Sequence, residues 1–178
     1  MGLIGETLLS KKCNLIDEKI HIFESDVYKC TIKQSNIARY KSGTLSVNFI
    51  FDIDGNQYKE KFITNQKTEK GGNSYYTNSN GKSVTLNGYT ICNDIFYLLE
   101  GVELSNVSKS EGMLASLKNK QLLVGLIKKK EAELSNFIDK VFNLQGLTAS
   151  ELKASRDLGY IKSWLDTNKG RVVNVQRD

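Results

Sequence analysis

Between Leu45 and Ile53 apolar side chains take every second position, Leu45, Val47, Phe49, Phe51 and Ile53, against Ser46, Asn48, Ile50 and Asp52. A period of two predicts a half-buried strand. Asp54-Gly55 follows, a pair that tolerates the positive φ of a tight hairpin turn, so a return strand is expected from Gln57 to about Thr64. It would place Lys59 and Lys61 on one face and Tyr58, Glu60 and Phe62 on the other. Upstream, Val27 to Ala38 alternates as well, with Tyr28, Cys30 and Ile32 opposite Lys29, Thr31 and Lys33. Arg39 to Gly43 reads as a basic, bendable connection between these two strands.

The period disappears from Asn65 to Gly88, where Gly71-Gly72, Asn80-Gly81 and Asn87-Gly88 mark a long loop with a small hairpin around Asn80-Gly81. Ile91, Ile95, Leu98 and Leu99 then recur at helical spacing, and Gly101 is a natural stop for a short helix ending at Glu100. Leu122 to Ile127 reads as a strand that bends at Gly125. Leu134 to Phe142 is read as the strand that completes the sheet, although Phe137, Ile138 and Val141 also suit a helix. Thr148-Ala149-Ser150-Glu151 is a capping-box pattern opening a helix. A further helix is expected from Asp157 to Thr167, with Tyr160, Ile161, Trp164 and Leu165 as its apolar side and Gly170 as its stop. The chain therefore divides into a lead segment (1–25), a mainly β domain (26–145) and a helical extension (146–178) that docks back onto the sheet.

A length of 178 residues suits one domain with a real core. Three widely spaced cysteines, Cys13, Cys30 and Cys92, and the single histidine His21 match reduced thiols better than a disulfide framework or a zinc site. The first residues carry neither a leading positive region nor a long apolar run, Glu6 stands where myristoylation needs Ser or Thr, and nothing approaches a membrane span. These features predict a soluble intracellular protein. The net charge of +5 permits an anionic partner without demanding one. Its distribution is uneven: Gly112 to Lys130 contains Lys118, Lys120, Lys128, Lys129 and Lys130 and no acid, whereas Asp17, Glu18, Glu24 and Asp26 gather near the start.

Candidate chemistry concentrates between Tyr58 and Tyr89, where lysines, aromatics and flexible Gly, Asn and Ser positions interleave. Cations match phosphates, and aromatic faces stack on unpaired bases of any sequence. Tyr75 and Tyr76 are adjacent, so in an extended segment they point to opposite sides, one to stack and one to anchor the loop. Lys59 and Lys61 could line a groove together with Lys67 and Lys70, and Lys33, Arg39 and Lys41 could clamp phosphates from the first bend. Tyr89 stands at a loop-to-helix junction where it could stack or anchor, Lys128 to Lys130 are secondary contacts, and Trp164 reads as core. The carboxylates Asp52, Asp54 and Glu60 suggest a metal-dependent nuclease as the enzymatic alternative, but the alternating strand and the turn already account for the two aspartates. An adaptor for another protein is the third class, and no cofactor is implied.

Several motifs occur in an order that resembles a family of bacteriophage single-stranded DNA-binding proteins. They are the hairpin YKCTIKQSNIARYKSGTLSVNFIFDIDGNQYKEKFITN, the stretch TNQKTEKGGNSYYTNSNGKSVTLNGYTICNDI, and the later segments NFIDKVFNLQGLTASEL and WLDTNKGRV. The resemblance implies an OB-fold, a small Greek-key β-barrel with one inserted helix and C-terminal helices, which holds single-stranded DNA during phage replication or recombination in the infected host's cytoplasm. It also implies phage replication or recombination proteins as partners, and no enzymatic activity. Two departures stand out: the connection from Leu104 to Leu117 is short, and Asn87 replaces the family's usual proline.

Overall fold

The computed structural model describes residues 20–68, 71–107 and 112–175. Strands β1 (Asp26–Arg39), β2 (Leu45–Ile53) and β3 (Asn56–Thr68) form an antiparallel meander. β3 runs beyond its expected end because Gln66–Thr68 finds a partner in β4 (Gly71–Asn73). The short strands β5 (Tyr75–Thr77) and β6 (Ser83–Thr85) make a separate ribbon around the Asn80-Gly81 turn, as the glycine pattern suggested. Helix α1 spans Asn87–Glu100, and β7 (Gly112–Met113) adds a short pairing to β1. The hairpin of β8 (Gln121–Lys130) and β9 (Leu134–Phe142) follows, then α2 (Ala149–Ala154), α3 (Tyr160–Asn168) and β10 (Val172–Asn174), which lies parallel to the end of β8.

The strand order β9-β8-β1-β2-β3-β4 depends on a division of labour within β1. Its first part, Asp26 to Thr31, pairs with β8, and its second, Thr31 to Arg39, pairs with β2. β9 at one end of the order and β3, next to β4 at the other, do not pair, and the expected barrel is not closed. They nevertheless meet, since the Ile138 N–H donates to both carboxylate oxygens of Glu60 at 3.0 Å. A sheet in which strands so far apart in the order touch must curl strongly, and the result is a curved sheet with a seam between β3 and β9.

Alternation explains the main core. Val47, Phe49, Phe51 and Ile53 of β2 turn inward with Cys30, Ile32 and Ile37 of β1 and with Leu122, Val124 and Leu126 of β8. From α1, Ile91, Cys92, Ile95 and Phe96 cover them. The helix begins at Asn87, earlier than its apolar spacing indicates, because Gly88 lets its first turn press on β3: a Cβ there would lie 2.6 Å from the Ile63 carbonyl oxygen. Gly101 ends the helix in the left-handed conformation, at φ +70°.

Of the C-terminal helices, α3 docks on the β8–β9 hairpin, whereas α2 lies against α1, with Lys153 over the Tyr97 ring. The expected bend at Gly125 is a register shift between Gly125 and Leu126, and the missing side chain there admits the Trp164 ring. Trp164, Ile127 and Phe142 form a second core, while the indole N–H donates to Asp139 at 2.8 Å. The capping box forms as read, with Thr148 and Glu151 exchanging hydrogen bonds. α3 starts three residues later than expected, since Gly159 takes a left-handed conformation (φ +71°) immediately before Tyr160. Tyr160 itself is exposed, not part of the buried side. No helix among the described residues is long and apolar enough to cross a membrane.

Candidate nucleic-acid interface

The register of the meander decides which polar side chains share a surface. Asn36, Asn48 and Lys61 align across β1, β2 and β3, and the next level aligns Gln34, Ile50 and Lys59. These residues occupy the side away from the buried Val47, Phe49 and Phe51. Lys59 and Lys61 therefore emerge together from the outer face, as their spacing predicted. A bulge between Ile32 and Gln34 makes Lys33 and Gln34 successive exposed residues at the edge of this patch.

Charge is polarised along that face. Asp52 stands opposite Gln57 near the β2–β3 turn that holds Asp54. At the other end, where Arg39 pairs with Leu45 and Leu45 with Asn65, the β1–β2 turn presents Arg39, Tyr40 and Lys41, all exposed. The same end carries the ribbon with Tyr75 and Tyr76, because Asn73 pairs with Gln66 of β3 and Ser74 accepts a hydrogen bond from the Leu86 N–H at 2.8 Å.

Tyr40 is a neighbour of these cations that the sequence reading did not single out. The Lys61 ammonium donates to its phenol oxygen at 2.7 Å. That hydrogen bond, followed by one with Ser46, holds the Tyr40 hydroxyl below its ordinary pKa. Ser46 faces outward by register, yet it is buried, and its hydroxyl donates to Asn48 Oδ1 at 3.4 Å. Its signal in the sequence is its place between Arg39 and Lys41 in the basic bend.

Tyr75 and Tyr76 pair with Thr85 and Val84 and so leave the ribbon on opposite faces. Contrary to the expected split into one stacking and one anchoring ring, both are open, at 43% and 46% exposure. The ribbon turn is braced instead by Asn78, whose side-chain oxygen accepts from the N–H groups of Asn80 and Lys82 at 3.0 Å. Tyr89 differs from them, being partly buried in the first turn of α1 and packed against the main core. The backbone of Lys67 belongs to β3, but its side chain, like the whole of Lys70, lies outside the described residues. Two of the three lysines ending β8 are engaged elsewhere: Lys128 pairs with Glu24 at 2.8 Å and Lys129 with Glu131 at 3.5 Å.

The carboxylates of the nuclease alternative do not converge. Asp52 faces outward and Asp54 sits in the turn, whereas Glu60 is on the inward side of β3 at the seam. No group of three His, Cys, Asp or Glu residues that could hold a metal occurs among the described residues. Burial pushes the Glu60 carboxyl up to about 7, against the opposing influence of the Ile138 N–H, the Tyr58 hydroxyl and Lys129. Beside it the seam opens into a cavity of about 280 Å³, lined by Lys61, Ile63, Gly88 and Phe137 among others. Cys30 and Cys92 are buried free thiols; burial pushes Cys30 up to about 12 and Cys92 higher still. Such thiols are inert, and Cys13 lies outside the described residues.

Comparison with models of known protein families gives no match, and comparison with curated proteins gives none either.

Proposed function

We propose that this protein binds single-stranded DNA with little regard to sequence, in phage replication or recombination inside the infected host. One observation carries the reading: Lys59 and Lys61 share the outer face of β3, and that strand leads to a turn bearing Arg39, Tyr40 and Lys41 and to a ribbon bearing two open tyrosines. Capture is electrostatic, as lysines displace counterions from the phosphates. Retention comes from splayed bases stacking on tyrosine rings, each worth roughly 1–3 kcal/mol.

The chain path supports an OB-type architecture for this surface. A three-strand meander, a helix and a hairpin succeed one another, and β1 is shared between β2 and β8. The seam between β3 and β9 is where such a barrel would close, and the outer face of its second and third strands is the side on which OB-folds hold oligonucleotides. Phage replication or recombination proteins are the partners this reading implies.

A fluorescent oligonucleotide titrated at two salt concentrations, with duplex of the same sequence as competitor, tests the reading. Affinity for the single strand should fall steeply with salt and exceed that for duplex. Salt-independent binding, or equal preference for duplex, rejects it.

A further inference from the structure

Resting on that reading, we infer that Tyr40 is a fixed stacking platform for one base on the binding face, with Lys61 as the residue that positions it. On the outer face of the meander, the aromatic ring that meets the lysine pair among the described residues is that of Tyr40, in contact with Lys61. From the β1–β2 turn its side chain reaches Ser46 of β2 and Lys61 of β3 while remaining 40% exposed.

The tether leaves the ring available. Lys61 Nζ is 2.7 Å from the phenol oxygen and 5.2 Å from the ring centroid. Because the oxygen projects from the centroid in the same direction, these distances put the ammonium beyond the hydroxyl, at the edge of the ring and not over its face. The contact is a hydrogen bond that orients the ring without covering it. For the side chains of Tyr75 and Tyr76, by contrast, no hydrogen bond or ring contact is seen among the described residues, so neither ring has a comparable tether. A ring held in place beforehand loses less freedom when a base arrives.

The backbone also supports a dedicated position. The turn is tight, with Tyr40 N–H donating to the Thr44 carbonyl and Gly43 N–H to the Tyr40 carbonyl, both at 2.9 Å, and Gly43 takes the positive φ of +89° that the turn requires. Tyr40 is therefore placed by its backbone at one end and by Lys61 at the other.

The test is a set of titrations with a fluorescein-labelled oligothymidylate over a range of salt, comparing the wild type with Tyr40→Ala, Tyr40→Phe, Lys61→Ala and the double variant Tyr40→Ala/Lys61→Ala. Tyr40→Ala should weaken binding by roughly 5- to 150-fold, the loss of one stacked base, with an unchanged salt dependence and an unchanged melting temperature. Tyr40→Phe keeps the ring but not the tether and should fall between Tyr40→Ala and wild type. The double variant should lose less than the product of the two single losses, since both act through one ring. Photocrosslinking to an oligonucleotide carrying 5-iodouracil should attach to Tyr40. Wild-type binding that Tyr40→Ala leaves intact overturns this inference alone, whereas a wild type that does not bind overturns the functional reading as well.

Discussion

Glu60 of β3 and Ile138 of β9 join two unpaired strands of the curved sheet through one carboxyl group, both of whose oxygens accept the same backbone N–H at 3.0 Å. A carboxylate on the inward side of a strand, between Tyr58 and Phe62, is an uncommon choice. Here it supplies an acceptor at the seam where β3 and β9 lack ladder hydrogen bonds.

That position makes stability depend on pH. With Glu60 pushed up to about 7, the folded chain holds a proton at this site that the unfolded chain releases near the ordinary carboxyl value. Between those two values the native state binds more protons, so stability falls as pH rises through the window and levels off above it. Urea midpoints measured at pH 5 and pH 8 should show this decline in the wild type and a smaller one in Glu60→Gln. Identical pH dependence in both proteins would remove Glu60 as its source.

Gly125 and Trp164 give a second prediction. A Cβ at residue 125 would lie 2.8 Å from the indole ring, so Gly125→Ala must displace either the ring or the strand. The expected cost is about 1–3 kcal/mol. Trp164 is the single tryptophan, so its emission reports the displacement directly and should shift to the red. An unaltered spectrum with wild-type stability would contradict the packing described.

Tyr75→Ala and Tyr76→Ala should leave the melting temperature unchanged, because neither ring is buried. The ring that stacks should lower affinity for single-stranded DNA by about 1–3 kcal/mol when removed. Since the two leave the ribbon on opposite faces, the variants should differ. Unchanged dissociation constants in both would take the ribbon out of the site.

Lys59→Ala tests whether this lysine meets a phosphate. Removing one phosphate-neutralising cation should reduce the slope of log K against log salt by about 0.7 for a single strand. Tyr40→Ala should leave that slope alone. A slope that does not change in Lys59→Ala would assign this lysine to solvent.

Much of the site was legible because its positions follow from strand alternation. Lys59 and Lys61 on one face, the hairpin at Asp54-Gly55 and the turn at Asn80-Gly81 all depend on local geometry. Tyr40 was not legible, since its reach across β2 to Lys61 joins residues 21 apart through a register that no local pattern specifies. Glu60 likewise looks, in sequence, like an ordinary member of an alternating strand. Its distinction arises from Ile138, 78 residues away.

Local chemistry in the chain determined the strands, the capping box, the bend at Gly125 and the exposure of the lysine pair, because backbone preference and the period of two act over a few residues. Only the tertiary structure decided that the sheet stops short of closing, that α1 begins early against Ile63, and that a tyrosine from the first turn crosses to a lysine of the third strand. Those outcomes depend on how far the sheet curls and which distant surfaces touch, and they are settled by packing between elements, not within them.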